Sequence, residues 1–304
     1  MITTLPQSVE ALQQLLGDQQ YIADRGLAIS LFLALKLGRP MFVEGEAGVG
    51  KTEVAKVLAA GMGVELIRLQ CYEGLDISHA VYEWNYPRQI LEIRMRETSG
   101  TGGGLSAKTL FTEDFLIKRP LLRALEAGAG PAPVLLIDEI DRADEEFEGF
   151  LLEVLSDFQI TIPELGTIRA QKPPIVVITS NRTREVHDAL KRRCLYYWID
   201  YPDFEKELRI ITTRIPDAPR TLAAEVAAFV QEIRGADLLK ASGISETLDW
   251  MAALTALNQT ELDAQVVSDT LGILLKQQDD IEAIRGERLD MLLNRARERG
   301  IRRS

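Results

Sequence analysis

Residues 45–52 read Gly45-Glu46-Ala47-Gly48-Val49-Gly50-Lys51-Thr52, the spacing G-x-x-x-x-G-K-[ST]. This pattern can hold a polyphosphate. Its glycines let the backbone curl so that N–H groups converge on phosphate oxygens. Lys51 is expected to reach the β- and γ-phosphates, and the Thr52 hydroxyl to hold Mg²⁺. The ligand implied is ATP with Mg²⁺.

Hydrolysis needs acids as well as a cradle. Val134-Leu135-Leu136-Ile137 is an apolar run that ends in Asp138-Glu139. Asp138 is expected to bind Mg²⁺ or its water shell, and Glu139 to polarise the attacking water as general base. A third run, 175–179, is rich in β-branched residues and leads through Ser180 to Asn181. In a parallel sheet, ligands lie beyond the carboxyl ends of the strands, so Asn181 is expected beside the γ-phosphate. Arg182, Arg184 and Lys191-Arg192-Arg193 follow. Arginine keeps its charge and can stabilise a transferring phosphoryl group. Arg193 is the foremost candidate for that role and Arg192 the second, against a solvated helix end for either.

The elements that must position these residues are legible in outline. Residues 41–44 read as a buried strand, and 52–60 as a helix without a breaker, whose N-terminus suits an anion. Apolar strands alternate with helices up to Pro202, as in a parallel α/β sheet. Beyond it, helical apolar spacing marks 204–214, 222–234, 246–258 and 262–276, with a last helix over 281–299. Within the first part, 91–96 alternates apolar and charged residues and reads as a half-exposed strand. A glycine-rich loop, 98–104, follows; it lacks Lys-[ST] in the required spacing and is no second nucleotide site. Residues 160–168 read as a hairpin turning at 163–166. Tyr82, Trp84 and Tyr86 stand together before the alternating stretch; they fit either a partner surface or core packing.

Residues 45–52, 135–139, 179–181 and 192–193 resemble, in order and spacing, the AAA+ ATPases. Asp138-Glu139-Ile140-Asp141-Arg142-Ala143 is similar to the "DEINRA" of the MoxR branch, with aspartate where asparagine is usual. Within that branch, 188–202 resembles the CoxD type, which accompanies carbon monoxide dehydrogenase and related molybdenum hydroxylases. The resemblance implies an α/β fold: a three-layer αβα parallel-sheet domain over 1–202 and an all-α lid over 203–304. It also implies an insertion at about 72–110 and a hairpin at about 159–169, both facing the axial side of a ring. The implied assembly is a homo-oligomer, a hexamer, with Arg193 reaching a neighbour's site. The implied partners are a von Willebrand A-domain protein and a metalloenzyme client. Tyr21 and Ile22 fall where such proteins cradle adenine, or pack in the core. One departure is clear. The branch carries a lid arginine near "GASPR", whereas 243–247 here reads Gly-Ile-Ser-Glu-Thr. Ser245 is expected to cap the helix that follows.

Composition limits the alternatives. The net charge of −11 argues against general nucleic-acid binding, which needs cationic surface. Arginines crowd the C-terminal segment from Arg285 to Arg303 among acids; a mixed-charge helix end and a dedicated anion-partner site both fit. No stretch is long and apolar enough to span a bilayer, and no secretory pattern opens the sequence, so a cytoplasmic location is expected. Cys71 and Cys194 are expected as free thiols, and His79 and His187 in surface or capping roles. A nucleotide-switched binding module competes with an ATP-driven chaperone; a nucleic-acid motor stands behind both.

Overall fold

The computed structural model describes residues 5–98, 107–127 and 130–303. In chain order the strands are β1 (Met41–Gly45), β2 (Leu66–Gln70), β3 (Tyr82–Trp84), β4 (Leu116–Lys118), β5 (Val134–Asp138), β6 (Gln159–Ile162), β7 (Gly166–Arg169), β8 (Ile175–Ser180) and β9 (Leu195–Ile199). One five-stranded sheet carries the order β2-β5-β8-β1-β9. The pairs β2–β5, β5–β8 and β8–β1 are parallel. β1 and β5 are buried along their whole length, which is why both read as unbroken apolar runs rather than alternating ones. Gln70 pairs with Asp138, Ile137 with Ile178, and Glu44 with Ser180. The carboxyl ends of four adjacent strands therefore form one edge.

The helices are α1 (Val9–Asp18), α2 (Arg25–Leu37), α3 (Lys51–Met62), α4 (Ile77–Ala80), α5 (Tyr86–Thr98), α6 (Ala107–Leu110), α7 (Pro120–Leu125), α8 (Glu145–Asp157) and α9 (Asp188–Arg193). After β9 come only helices: α10 (Phe204–Arg214), α11 (Arg220–Arg234), α12 (Ile244–Ala256), α13 (Ala264–Leu274), α14 (Gln278–Ile284) and α15 (Glu287–Arg303). Among the described residues, no helix is long and apolar enough to cross a membrane.

Two compact units result. One gathers Arg25–Glu44 and Val54–Trp198 with the stretch up to Leu15; the other gathers Leu16–Asp24, Gly45–Glu53 and everything from Ile199 on. Each has its own core. The first is built on Ile67, Leu121, Leu122, Leu135, Ile137 and Ile178. The second centres on Phe229 and Trp250, whose indole N–H donates to Thr270 at 2.9 Å.

Several expectations need correction. Residues 91–96 are not a strand but the middle of α5. Leu, Glu, Arg and Met all favour helix, and Glu92 and Arg96, four apart, form an ion pair on its surface. The last helix is two: Arg285 is in extended backbone and separates α14 from α15. Ser245 is not the cap of α12; Gly243 is, with Glu246 accepting from its N–H at 3.1 Å. Trp84 is 6% exposed in β3 and packs edge-on against Phe111, so it is a core residue and not a contact surface. The hairpin stands as expected, with β6 and β7 paired antiparallel. The 98–104 loop lies beyond Thr98 outside the described residues.

The second unit is held internally by a buried ion pair. Arg234 and Glu207 side chains are 8% and 0% exposed. Arg234 donates twice to Glu207 at 2.7 Å, and Gln231 and Thr247 donate at 2.6 and 2.9 Å. Burial pushes the Glu207 carboxyl up from its ordinary range, although these donors pull it back. Removing one partner strands the other in low dielectric, at a cost of about 3–5 kcal/mol. Arg234→Met is therefore expected to lower the melting temperature markedly, whereas Glu207→Met with Arg234→Met restores much of the loss. Thermal unfolding of the two variants, followed by circular dichroism, checks this.

Candidate active site

At the strand edge of the first unit, one hydroxyl joins both acids. Thr179 donates through Oγ1 to Asp138 Oδ1 at 2.6 Å and accepts from the Glu139 N–H at 2.9 Å. It can do so because β8 lies next to β5 and ends level with it. Asp138 is 1% exposed. Its second oxygen accepts from Arg68 of β2 at 2.6 and 3.0 Å. Burial of that carboxylate is thus compensated from both neighbouring strands.

Glu139 leaves the sheet in the left-handed region, at φ 56°. That conformation is costly for a residue with a Cβ and persists only where its surroundings impose it. It turns the side chain back over the edge. Oε1 accepts from Asn181 Nδ2 at 3.2 Å, and Oε2 from Gln70 Nε2 and Arg142 Nε, both at 3.0 Å. Asp138, Glu139 and Asn181, expected at one site, are brought together.

Asn181 is itself positioned by Asp141. The Asp141 carboxylate accepts from the Asn181 N–H at 3.1 Å and from the Thr183 N–H and hydroxyl at 2.9 and 2.6 Å. Desolvation opposes its charge, but these hydrogen bonds prevail and hold the carboxyl below its ordinary value. Gln70, Arg68 and Asp141 were not identified as site residues from the sequence. Asp141 alone had a signal: it replaces asparagine within an otherwise matching motif.

The basic residues after β8 separate by role. Arg184 pairs with Glu148, a fully buried acid on α8, and donates to the Ala143 carbonyl; it is structural. Lys191 lies 3.5 Å from Glu44, which also accepts from Ser180 and Tyr196. Arg193 donates to the Leu152 carbonyl of α8 and not to Glu139 or Asn181. The Arg192 side chain is exposed. Arg39 secures the end of α9 by donating to the carbonyls of Arg192 and Arg193. His79 pairs with Asp76, and His187 accepts from the Ala189 N–H as the cap of α9. Cys71 and Cys194 are buried free thiols, and burial pushes each up to about 12.

The glycine loop belongs to the second unit. Lys51 Nζ donates to the carbonyls of Gly45 and Glu46, folding the loop around the ammonium. Gly45 has no room for a side chain: a Cβ there would strike the Ile199 carbonyl. Gly48 sits at φ 77°, in the region that favours glycine. The Tyr21 ring edge lies 3.9 Å from the Cβ position of Gly50, so this part of the expected adenine cradle borders the loop. Ile22 and Thr52 are half-buried.

The Asp141 geometry fixes a pH dependence. Its folded pKa is lowered, so its stabilisation is complete above the unfolded value of about 3.9 and is lost as pH falls through the folded value. Asp141→Asn keeps one acceptor oxygen for three donors. It is expected to cost about 1–3 kcal/mol at pH 7. The difference from wild type should shrink below pH 4, as measured by urea unfolding across pH 3–8.

Comparison with known proteins accords with this geometry. Residues 40–194 match the AAA domain, dynein-related subfamily. Protein NorQ of Paracoccus denitrificans is 24% identical over 281 residues, covering 89% of this chain and 92% of NorQ. The gas vesicle ATPase GvpN of Haloferax mediterranei is 23% identical over 266 residues, covering 83% of this chain and 73% of GvpN. Among solved structures, a RuvB mutant of Thermotoga maritima aligns with TM-score 0.48 and 19% identity, covering 88% of this chain and 70% of RuvB. More than half of the chain thus carries the family pattern, and the chain belongs to the AAA domain family, dynein-related subfamily, as an ATPase with the AAA+ fold.

Proposed function

We propose that this ATPase is a chaperone of the MoxR branch, of the CoxD type, whose cycle remodels a metalloenzyme or its partner during maturation. Residues 1–202 form its nucleotide-binding domain and 203–304 its lid. The observation that carries the catalytic part is the cluster in which Thr179 bridges Asp138 and Glu139 while Asn181 reaches Glu139.

In this reading, residues 45–52 cradle the ATP phosphates, Lys51 turning from loop carbonyls to phosphate oxygens. The Thr52 hydroxyl and Asp138 would hold Mg²⁺, which would supply charge neutralisation on the phosphates. A hydroxyl and a carboxylate are the hard oxygen donors that this ion takes, with water completing its shell. Glu139 draws a proton from the attacking water, and Asn181 holds the water in line. Tyr21 and Ile22 border the base. Arg193, with Arg192 as the alternative, completes a neighbouring subunit's site in a hexameric ring. The arginine would release the Leu152 carbonyl to do so.

The client role is supported by α5. It exposes Tyr86, Ile90, Leu91 and Met95, each more than half accessible, within the inserted segment. Such a face suits contact with another protein. A von Willebrand A-domain partner and a molybdenum hydroxylase client follow from the family resemblance.

Two experiments test this reading. Glu139→Gln should bind ATP with near-normal affinity yet lose at least ~100-fold in steady-state turnover. Lys51→Ala should instead lose binding in a fluorescent-nucleotide titration. Near-normal turnover by Glu139→Gln would remove the base assignment. Separately, Arg193→Ala should lower turnover with little change in affinity. Mixing it with Lys51→Ala should restore part of the activity, through mixed sites that are intact. Verified subunit exchange without recovery would refute the shared site.

A further inference from the structure

The segment that stands where the family carries its lid arginine lies directly on the glycine loop. Gly48 accepts through its carbonyl from the Ile244 N–H at 2.9 Å and the Ser245 N–H at 3.3 Å. Gly243 and Gly48 are back to back: a Cβ on Gly243 would lie 2.7 Å from the Gly48 Cα. A Cβ on Gly48 would lie 2.8 Å from both Glu246 Oε2 and Ser245 Oγ. The contact therefore requires glycine on each side, and the Glu246 carboxylate is pressed against the loop.

That carboxylate is fixed. Glu246 Oε2 accepts from the Gly243 N–H at 3.1 Å and from Ser245 Oγ at 3.0 Å. It occupies the first turn of α12, where the positive end of the helix favours an anion. The cation nearby is already committed: Arg234 lies 4.9 Å from the Tyr201 ring centre but is bonded to Glu207. Tyr201 feels both Glu46 and Glu246, which with burial push its hydroxyl up, while Arg234 opposes them.

We propose that Glu246 makes the lid a sensor of nucleotide charge: its carboxylate, held against Gly48, is repelled more by a triphosphate on the loop than by a diphosphate. This repulsion strains the hydrogen bonds from Ile244 and Ser245 to Gly48 when ATP is bound, and they relax after phosphate leaves. The inference rests on residues 45–52 being the nucleotide site. It adds a specificity-determining residue to that site.

Glu246→Gln isolates the charge, because glutamine also serves at this position of a helix start and can accept from Gly243. The full-length protein is titrated with fluorescent ADP and with a fluorescent non-hydrolysable ATP analogue, in low and high salt. Glu246→Gln is expected to tighten the ATP analogue about 3–10-fold and ADP by less, with the difference shrinking in high salt. Glu261→Gln, an exposed site, controls for net charge and should change neither. Amide exchange gives an independent readout. In wild type the Ile244 and Ser245 N–H groups should exchange faster with the ATP analogue than with ADP, and in Glu246→Gln the two nucleotides should give the same rate. An unchanged ratio of the two affinities, or slower exchange with the ATP analogue in wild type, overturns the proposal. Lys51→Ala separates the two levels of the argument. If it leaves binding intact, the nucleotide site itself is misassigned. If it abolishes binding while Glu246→Gln alters nothing, only the charge-sensing role falls.

Discussion

Three carboxylates are buried at the ends of adjacent parallel strands or just beyond them, and the first unit is organised around supplying them with hydrogen-bond donors. Glu44, Asp138 and Asp141 are each 3% exposed or less. A carboxylate so placed is tolerated only if donors replace its water. The donors come across the sheet: Ser180, Tyr196 and Lys191 for Glu44, Thr179 and Arg68 for Asp138, Asn181 and Thr183 for Asp141. Strand order is what makes this possible. β8 lies between β5 and β1, so its terminal residues can serve acids on either side. An edge held in this way is preorganised: its acids are fixed by donors already in place.

The sequence discloses these strands because a sheet covered on both faces needs continuous apolar runs, and each run ends where chemistry begins. The glycine loop and the acid pair are equally plain, since only a few residue types can do their work. What is not legible is the set of supporting residues. Arg68 and Gln70 sit in a strand whose pattern simply alternates, and nothing local shows that Arg68 reaches Asp138 and Gln70 reaches Glu139, about 70 residues on in sequence. The alternation of 91–96 misleads for a related reason. Its charged residues satisfy a helix surface as readily as a strand face, and the helix propensities of Leu, Glu, Met and Arg decide the matter. Trp84 was open between surface and core; Phe111, remote in sequence from Trp84, decides for the core.

Pairing also explains why clustered cations after β8 do not act alike. Arg184 is consumed by Glu148, and Lys191 by Glu44. Among the described residues, Arg193 is bound to a main-chain carbonyl and to no carboxylate. Pairing, rather than proximity to the strand, thus sets what each of these cations is committed to.

The same reasoning applies to the second unit, where charge is arranged the other way. A buried guanidinium, Arg234, is sealed into a pair with Glu207, and Thr247 joins that pair one residue after Glu246. Arg234 also donates to the carbonyl of Ser242, immediately before Gly243. The turn from Ser242 to Thr247 is thus clamped at both ends, and the residue left facing Gly48 is an acid. A turn anchored so firmly cannot adapt by drifting. It responds to charge on the loop through the two hydrogen bonds that Ile244 and Ser245 make to the Gly48 carbonyl, its direct tie to the loop, and that is where coupling between nucleotide and lid is to be read.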